Sequence, residues 1–255
     1  MLEAAVISEL QSHALEAYPA ECCGIVINER GVQKYIRCTN TSLKPLETFK
    51  ISAEERTTVE DLGDVIAICH SHPDWVSDPS PADIAACEAS EVTWVIVSVN
   101  EGVVSEPRYV NPKGTVFPLV GREFFHGVLD CYSLVKDYYL REHNIELLDF
   151  EREDKWWDNG QNLYIDNFKK TGFRELHADE QIAESDVILM AIRSKVANHA
   201  GIYIDKKELK EAPHLFKVPN AMLHHLYGRL SERAVYGGYW ADQTVTILRH
   251  VCLDK

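Results

Sequence analysis

Two prolines and two glycines fall within YVNPKGTVFPLVG, residues 109–121, between a strand-like run and a new helical pattern. No regular element runs through such a stretch, because proline lacks the backbone donor and glycine gives up conformational preference. A linker near residues 111–120 is the expectation, with one domain at 1–115 and a second at 120–255. Each half is long enough to bury its own core.

The patterns on the two sides differ. Before the linker, periodicity predicts a helix over about 2–17 and strands at CCGIVIN and VQKYIRCTN. A helix over about 52–62, a strand at DVIAIC, a helix over about 81–90 and a strand at TWVIVSVN follow. That is an α/β order with mixed connections, a mixed sheet with flanking helices. After the linker come a helix over about 131–142, an irregular Trp- and Asn-rich stretch, and strands at DVILMAI, NHAGIYI, AMLHHLY and TVTILRHV. One main helix followed by consecutive strands is an α+β pattern.

Charge and cysteine usage narrow the function classes. A net charge of −14 over 255 residues repels phosphate backbones, so no nucleic-acid partner is expected. The longest apolar runs are strand-sized, which argues against membrane insertion. The N-terminus has apolar residues at helical spacing, carries acids and has no basic region or continuous apolar core, so no signal peptide is expected. Seven cysteines, two of them adjacent and none in a Cys-x-x-Cys pair, point to a reducing compartment and to thiols used mainly as small buried groups.

CHSHPDWVSDPSPAD, residues 69–83, carries the first candidate chemistry. Ser80-Pro81-Ala82-Asp83 reads as a helix start, with a serine cap, proline at the first position and an acid in the first turn. That accounts for Ser80 and Asp83 but not for the histidines. Strand alternation places His70 and His72 on one face, and Asp83 can turn back to the same point. Two imidazoles and a carboxylate form a three-ligand set that leaves zinc an open fourth position. The string His70-x-His72, seven residues, Ser80, two residues, Asp83 resembles the JAMM/MPN metallopeptidase motif, and AECCGIVI resembles that family's Glu-x-Cys-Gly. The resemblance implies one Zn²⁺ held by His70, His72 and Asp83, Glu21 as the base that deprotonates the attacking water, and Ser80 as a donor to the developing oxyanion. It also implies cleavage of peptide or isopeptide bonds.

GVLDCYSLVKDYYLREHN carries the second. Asp130 can cap a helix whose buried stripe is Leu134, Val135, Tyr138 and Tyr139, so Cys131 sits at a helix N-terminus. The dipole there favours the thiolate and is expected to lower the thiol pKa. A cysteine nucleophile needs an imidazole, and that imidazole needs an orienting group. NHAGIYID offers His199, with Gly201 and Tyr203 on the same strand face. DCYSLV and NHAGIYI resemble the NlpC-type cysteine peptidases, which implies a papain-like α+β domain acting on the peptide stems of bacterial peptidoglycan. In that family a polar residue after two apolar ones on the next strand orients the first histidine. AMLHHLY supplies His224, with His225 facing the other way and His214 in the long insertion a weaker candidate. Cys22, Cys23, Cys38, Cys69, Cys87 and Cys252 are expected to be packing residues, and the tryptophans of EDKWWDNGQNLY to staple a loop.

Both motif sets in one chain are similar to the two-domain tail-tip assembly proteins of lambda-like tailed phages. That resemblance implies a peptidase made in the host cytoplasm and carried at the tail tip, with other tail-tip proteins as partners. Two alternatives stand beside it: a non-catalytic structural or assembly factor, and a cellular two-domain peptidase or isopeptidase.

Overall fold

Val6, Leu10 and Ala14 recur every four residues and form the buried stripe of α1 (Ala4–Ala17). This helix opens the first of two compact units, Met1–Thr115 and Val116–Lys255, of a computed structural model that describes residues 1–153 and 155–254. In the first unit β1 (Cys23–Glu29) and β2 (Val32–Cys38) form an antiparallel hairpin. After α2 (Ala53–Glu60), β3 (Asp64–Pro73) pairs antiparallel with β1. Next come α3 (Pro81–Ser90) and β4 (Thr93–Asn100), which lies parallel to β3. A parallel pair needs a crossover, and α3 supplies it. The short β5 (Val103–Val104) and β6 (Arg108–Val110) both pair with β4, so the sheet runs β2-β1-β3-β4 and ends on them.

Strand alternation decides what each face carries. Val26, Ala67, Cys69, Val95 and Val97 pack with the α1 stripe. Cys23, Ile25 and Ile27 cluster with Val59 of α2, and Ile68 and Trp94 with Cys87 of α3. β3 runs on to Pro73, beyond its apolar run, because β4 stays paired with it up to Pro73 and Val99. His70 and His72 are therefore strand residues and lie on the face of Ile68.

The second unit is one antiparallel sheet beside α4 (Cys131–His143). A short α5 (Leu163–Asn167) precedes β7 (Phe173–Glu175), β8 (Val187–Met190), β9 (His199–Tyr203) and β10 (Ala221–His224). β11 (Glu232–Val235), α6 (Tyr239–Asp242) and β12 (Thr244–His250) complete it, and the sheet order is β11-β10-β9-β8-β12-β7. Leu134, Val135, Tyr138 and Tyr139 of α4 share a core with Val187, Leu189, Ala200, Ile202 and Leu223. Ile188, Met190 and Met222 lie on the opposite sheet face, with Trp240 against them.

Several elements depart from the sequence-based expectation. The Trp- and Asn-rich stretch holds a 3-10 turn at Trp156–Asp158 and then α5, and Trp156 is fully buried, with its ring against Trp157 and Tyr164. The residues inserted between β9 and β10 bury Leu209 and Ala212 and pack on the end of α4. There Lys210 N donates to Glu142 Oε1 at 2.9 Å, and Arg141 pairs with Glu211 at 2.6 Å. Cys252 is exposed and is no packing residue, whereas the other six thiols are buried.

The N-terminus of α4 is fixed by a buried ion pair. Asp130 is the N-cap: its Oδ1 accepts from Ser133 N at 2.9 Å and its Oδ2 from Gly127 N at 3.0 Å. Arg152 Nε donates to the same Oδ2 at 2.6 Å, and both side chains are buried. Asp130→Ala is expected to destabilise the second unit by about 2–3 kcal/mol, because it removes a cap and the buried acceptor of Arg152 Nε, leaving Asp149 as the charged partner of that guanidinium. Urea denaturation checks this; a loss below about 1 kcal/mol would show that Asp149 alone holds Arg152.

Candidate functional site

The first site lies where β3 meets the N-terminus of α3. Ser80 and Asp83 form a capping box: Asp83 N donates to Ser80 Oγ at 3.1 Å and Ser80 N to Asp83 Oδ2 at 2.7 Å. The box aims the Asp83 carboxylate at the strand. His70 Nε2 stands 3.2 Å from Asp83 Oδ1, His72 Nε2 3.4 Å from Oδ2, and the two Nε2 atoms are 3.0 Å apart. One ligand atom from each of the three residues falls within 4.8 Å of the others.

This donor set fits a metal ion. Two ligands at about 2 Å from one tetrahedral ion lie roughly 3.3 Å apart, which is the spacing of these atoms. His72 Nδ1 donates to Val76 O at 2.8 Å, which leaves Nε2 as the lone-pair atom facing the centre. His70 is stacked on Phe49, with ring centroids 4.6 Å apart, and lies edge-on to Trp94. Its buried Nδ1 has no partner among the described residues. A proton on that Nδ1 would leave two lone pairs facing each other at 3.0 Å, an arrangement that a cation between them relieves. Burial alone would raise the Asp83 carboxyl, but its contacts with His70 and His72 hold it well below the usual range. Burial lowers the His70 pKa, whereas at His72 the contacts to Asp83 and Val76 outweigh burial and raise it.

Glu21 is brought to the same place. Its backbone N–H donates to Pro45 O at 2.8 Å and its carbonyl accepts from Asn40 Nδ2 at 3.0 Å, at the entry to β1. Burial pushes its carboxyl up to about 7, with His72 opposing and Asp83 adding to the rise. Gly24, the glycine of AECCG, is required by packing: a Cβ there would stand 2.5 Å from the Tyr35 ring.

The second site gathers around the start of β9. Cys131 is the first residue of α4, and the backbone N–H of Ala200 approaches its sulfur. His199 Nε2 and His224 Nδ1 are 3.1 Å apart, with His224 paired across from Gly201. His225 Nε2 is instead 3.1 Å from Arg229 O, and its ring packs edge-on to Phe124. His214 is exposed in the insertion.

The thiol differs from the sequence-based expectation in its ionisation. Burial pushes Cys131 up to about 11, with the Asp130 charge adding to the rise, so tertiary desolvation outweighs the helix dipole. Burial likewise lowers His199 to about 3 and His224 to about 4, with neighbouring cationic groups adding to the effect. Among the described residues the side-chain partner of Cys131 Sγ is Tyr164 Oη, at 3.1 Å. Sequence reading missed Tyr164 because α5, at five residues, is too short for periodicity to register.

Residues 3–109 match the family described as prokaryotic homologs of the JAB domain, and residues 121–249 match the NlpC/P60 family. Tail tip assembly protein K of Escherichia phage N15 is 40% identical over 246 residues, covering 96% of this chain and 93% of that protein. The chain belongs to the tail tip assembly protein K family. The K protein of Escherichia phage lambda is 36% identical over 200 residues, 78% of this chain and 89% of that one. The solution structure of a protein from Desulfitobacterium hafniense covers 40% of this chain and 77% of its own at 23% identity, with a TM-score of 0.34. This K-family chain therefore has two domains, JAB-like and then NlpC/P60, and no described helix is long and apolar enough to cross a membrane.

The Glu21 shift has a signed consequence for stability. A carboxyl whose folded pKa is about 7 against an ordinary 4.5 keeps its proton longer folded than unfolded. Stability is then lost as pH rises from about 4.5 to 7, by up to about 3 kcal/mol. In chelator-treated protein, Glu21→Gln should match the parent below pH 4 and exceed it in stability above pH 7. Chemical denaturation at the two pH values measures this; equal pH dependence in the two proteins would place Glu21 in water.

Proposed function

We propose that this K-family protein is a phage tail-tip component with two peptidase centres, a cysteine centre that cuts the peptide stems of host peptidoglycan and a zinc centre in the JAB-like domain. The observation that carries the first part is the 3.1 Å contact of His199 with His224, together with the approach of the neighbouring Ala200 N–H to the sulfur of Cys131 at a helix N-terminus. His199 takes the proton of Cys131, the sulfur attacks the scissile carbonyl carbon, and the negative charge moves to the carbonyl oxygen. Backbone N–H groups at the start of α4 are the local donors for that oxygen. Collapse of the adduct breaks the C–N bond, and His199 returns its proton to the leaving amine. Water then releases the acyl group from sulfur by the same proton path. His224 orients His199 throughout.

In the JAB-like domain His70, His72 and Asp83 would hold one zinc ion. When bound, it supplies Lewis acidity that polarises a carbonyl and acidifies a water. Glu21 accepts a proton from the attacking water and returns it to the leaving group, a role suited to a carboxyl that burial has moved toward neutrality. Ser80 Oγ accepts from Asp83 N, so its hydroxyl proton is free to be donated to a developing oxyanion.

That its relatives are tail tip assembly proteins supports action in tail tip assembly with other tail-tip proteins as partners, and the NlpC/P60 match supports peptidoglycan as substrate. On this reading the protein is made in the host cytoplasm and carried at the tail tip. The rival, an assembly factor with silent sites, draws on the burial of Cys131 beneath Tyr164.

Elemental analysis of purified protein should find about one zinc per chain, falling sharply in His70→Ala; full occupancy in a His70/His72 double alanine variant would remove the metal assignment. Incubation with purified peptidoglycan should release stem-peptide fragments. That cleavage should survive a chelator and His72→Ala, and fall about a thousandfold or more in Cys131→Ala. No cleavage by the parent protein would favour the silent-site rival.

A further inference from the structure

In the thiol site the proton positions follow from the geometry once His199 is the base for Cys131. His199 has one ring nitrogen, Nε2, committed to His224 Nδ1 at 3.1 Å. To take the Cys131 proton it must use its other nitrogen, Nδ1, so its own proton sits on Nε2 and is donated to His224 Nδ1. Neutral His224 then carries its proton on Nε2. That atom is fully buried and has no hydrogen-bond partner among the described residues. Around the ring stand His199 from β9, His225 next in the chain, Arg229 from the turn after β10 and Trp240 from α6. None of them offers an acceptor to Nε2. Glu232 of β11 lies directly across from His224 in the antiparallel register, with Oε1 3.8 Å from Nε2. Its side chain is half exposed and unrestrained by any other ion pair among the described residues, so a rotamer change closes the remaining distance.

We infer that Glu232 is a positioning residue of the thiol site: its carboxylate receives the Nε2–H of His224 and so fixes the tautomers of both histidines. This rests on the cysteine-peptidase reading for the direction of the tautomers, and on geometry alone for the placement of Glu232 against His224 Nε2. The proton order becomes Cys131 to His199 Nδ1, His199 Nε2–H to His224 Nδ1, and His224 Nε2–H to Glu232. Without the acceptor, His224 gains from moving its proton to Nδ1, which would turn a donor against the donor of His199. The negative charge also offsets the cationic neighbours of His224 when His199 becomes an imidazolium.

The test is histidine-labelled ¹⁵N NMR on the full chain, with the parent, Glu232→Gln and Glu232→Ala compared. The parent should show His224 as the Nε2–H tautomer. Glu232→Gln keeps an acceptor oxygen and should keep that tautomer, whereas Glu232→Ala should lose it. With purified peptidoglycan, Glu232→Ala should lower kcat about tenfold at unchanged KM, and Glu232→Gln should recover part of the loss. A His224 tautomer in Glu232→Ala identical to the parent's would overturn the inference. If Glu232→Ala does not fold, Glu232→Asp carries the same comparison, because its shorter side chain cannot reach Nε2. If the parent cuts no peptidoglycan, the peptidase reading fails while the NMR comparison still decides the role of Glu232.

Discussion

A reciprocal capping box holds the first turn of a helix in each unit, and one candidate site residue of each unit, Asp83 or Cys131, sits on that turn. In the first, the box acid is itself a site residue: Asp83 Oδ2 accepts the Ser80 N–H while Oδ1 faces His70. In the second, the box acid precedes the site residue: Asp130 and Ser133 close the turn, and Cys131 is its first member. Helix N-termini leave donors that must be satisfied, and satisfying them with a serine and an acid fixes the turn tightly enough to aim a carboxylate or a sulfur. Arg152 extends the device, because its buried guanidinium ties the cap acid to Gly127 O and Phe150 O. The loop that follows α4 is thereby fastened to the turn that carries the thiol.

The same removal from water acts differently on the two groups of ionisable residues. Asp83 has imidazoles beside it and keeps its charge. Cys131, His199 and His224 have too little opposing charge, so desolvation favours the thiol and the neutral rings. The covered second site therefore holds a neutral thiol and two neutral rings. Tyr164 is the side chain in contact with the sulfur.

What could be read from the sequence follows from the range of the physics involved. Strand alternation is local, so the common face of His70 and His72 and the opposed directions of His224 and His225 were legible. The cap roles of Ser80 and Asp130 were legible for the same reason. The ionisation of Cys131 was not, because the helix dipole is local whereas the burial that overrides it comes from the tertiary core around α4. β7 (FRE) and β11 (ERAV) carry charged residues in their few positions and so do not announce a strand, unlike the equally short but apolar β8 (VILM). The insertion after β9 reads as a polar loop, and only its packing on α4 shows why Leu209 and Ala212 are apolar.

The pairing of Cys131 with Tyr164 bears on durability. Thiolates are oxidised to sulfenic acid far more readily than thiols, and exposed sulfur more readily than buried sulfur. With its proton retained and the Tyr164 hydroxyl 3.1 Å away, Cys131 is in the form that peroxide attacks least. Cys252, exposed near the C-terminus, would take such damage first and at no cost to the site. A protein built this way can meet peroxide with its buried Cys131 thiol intact.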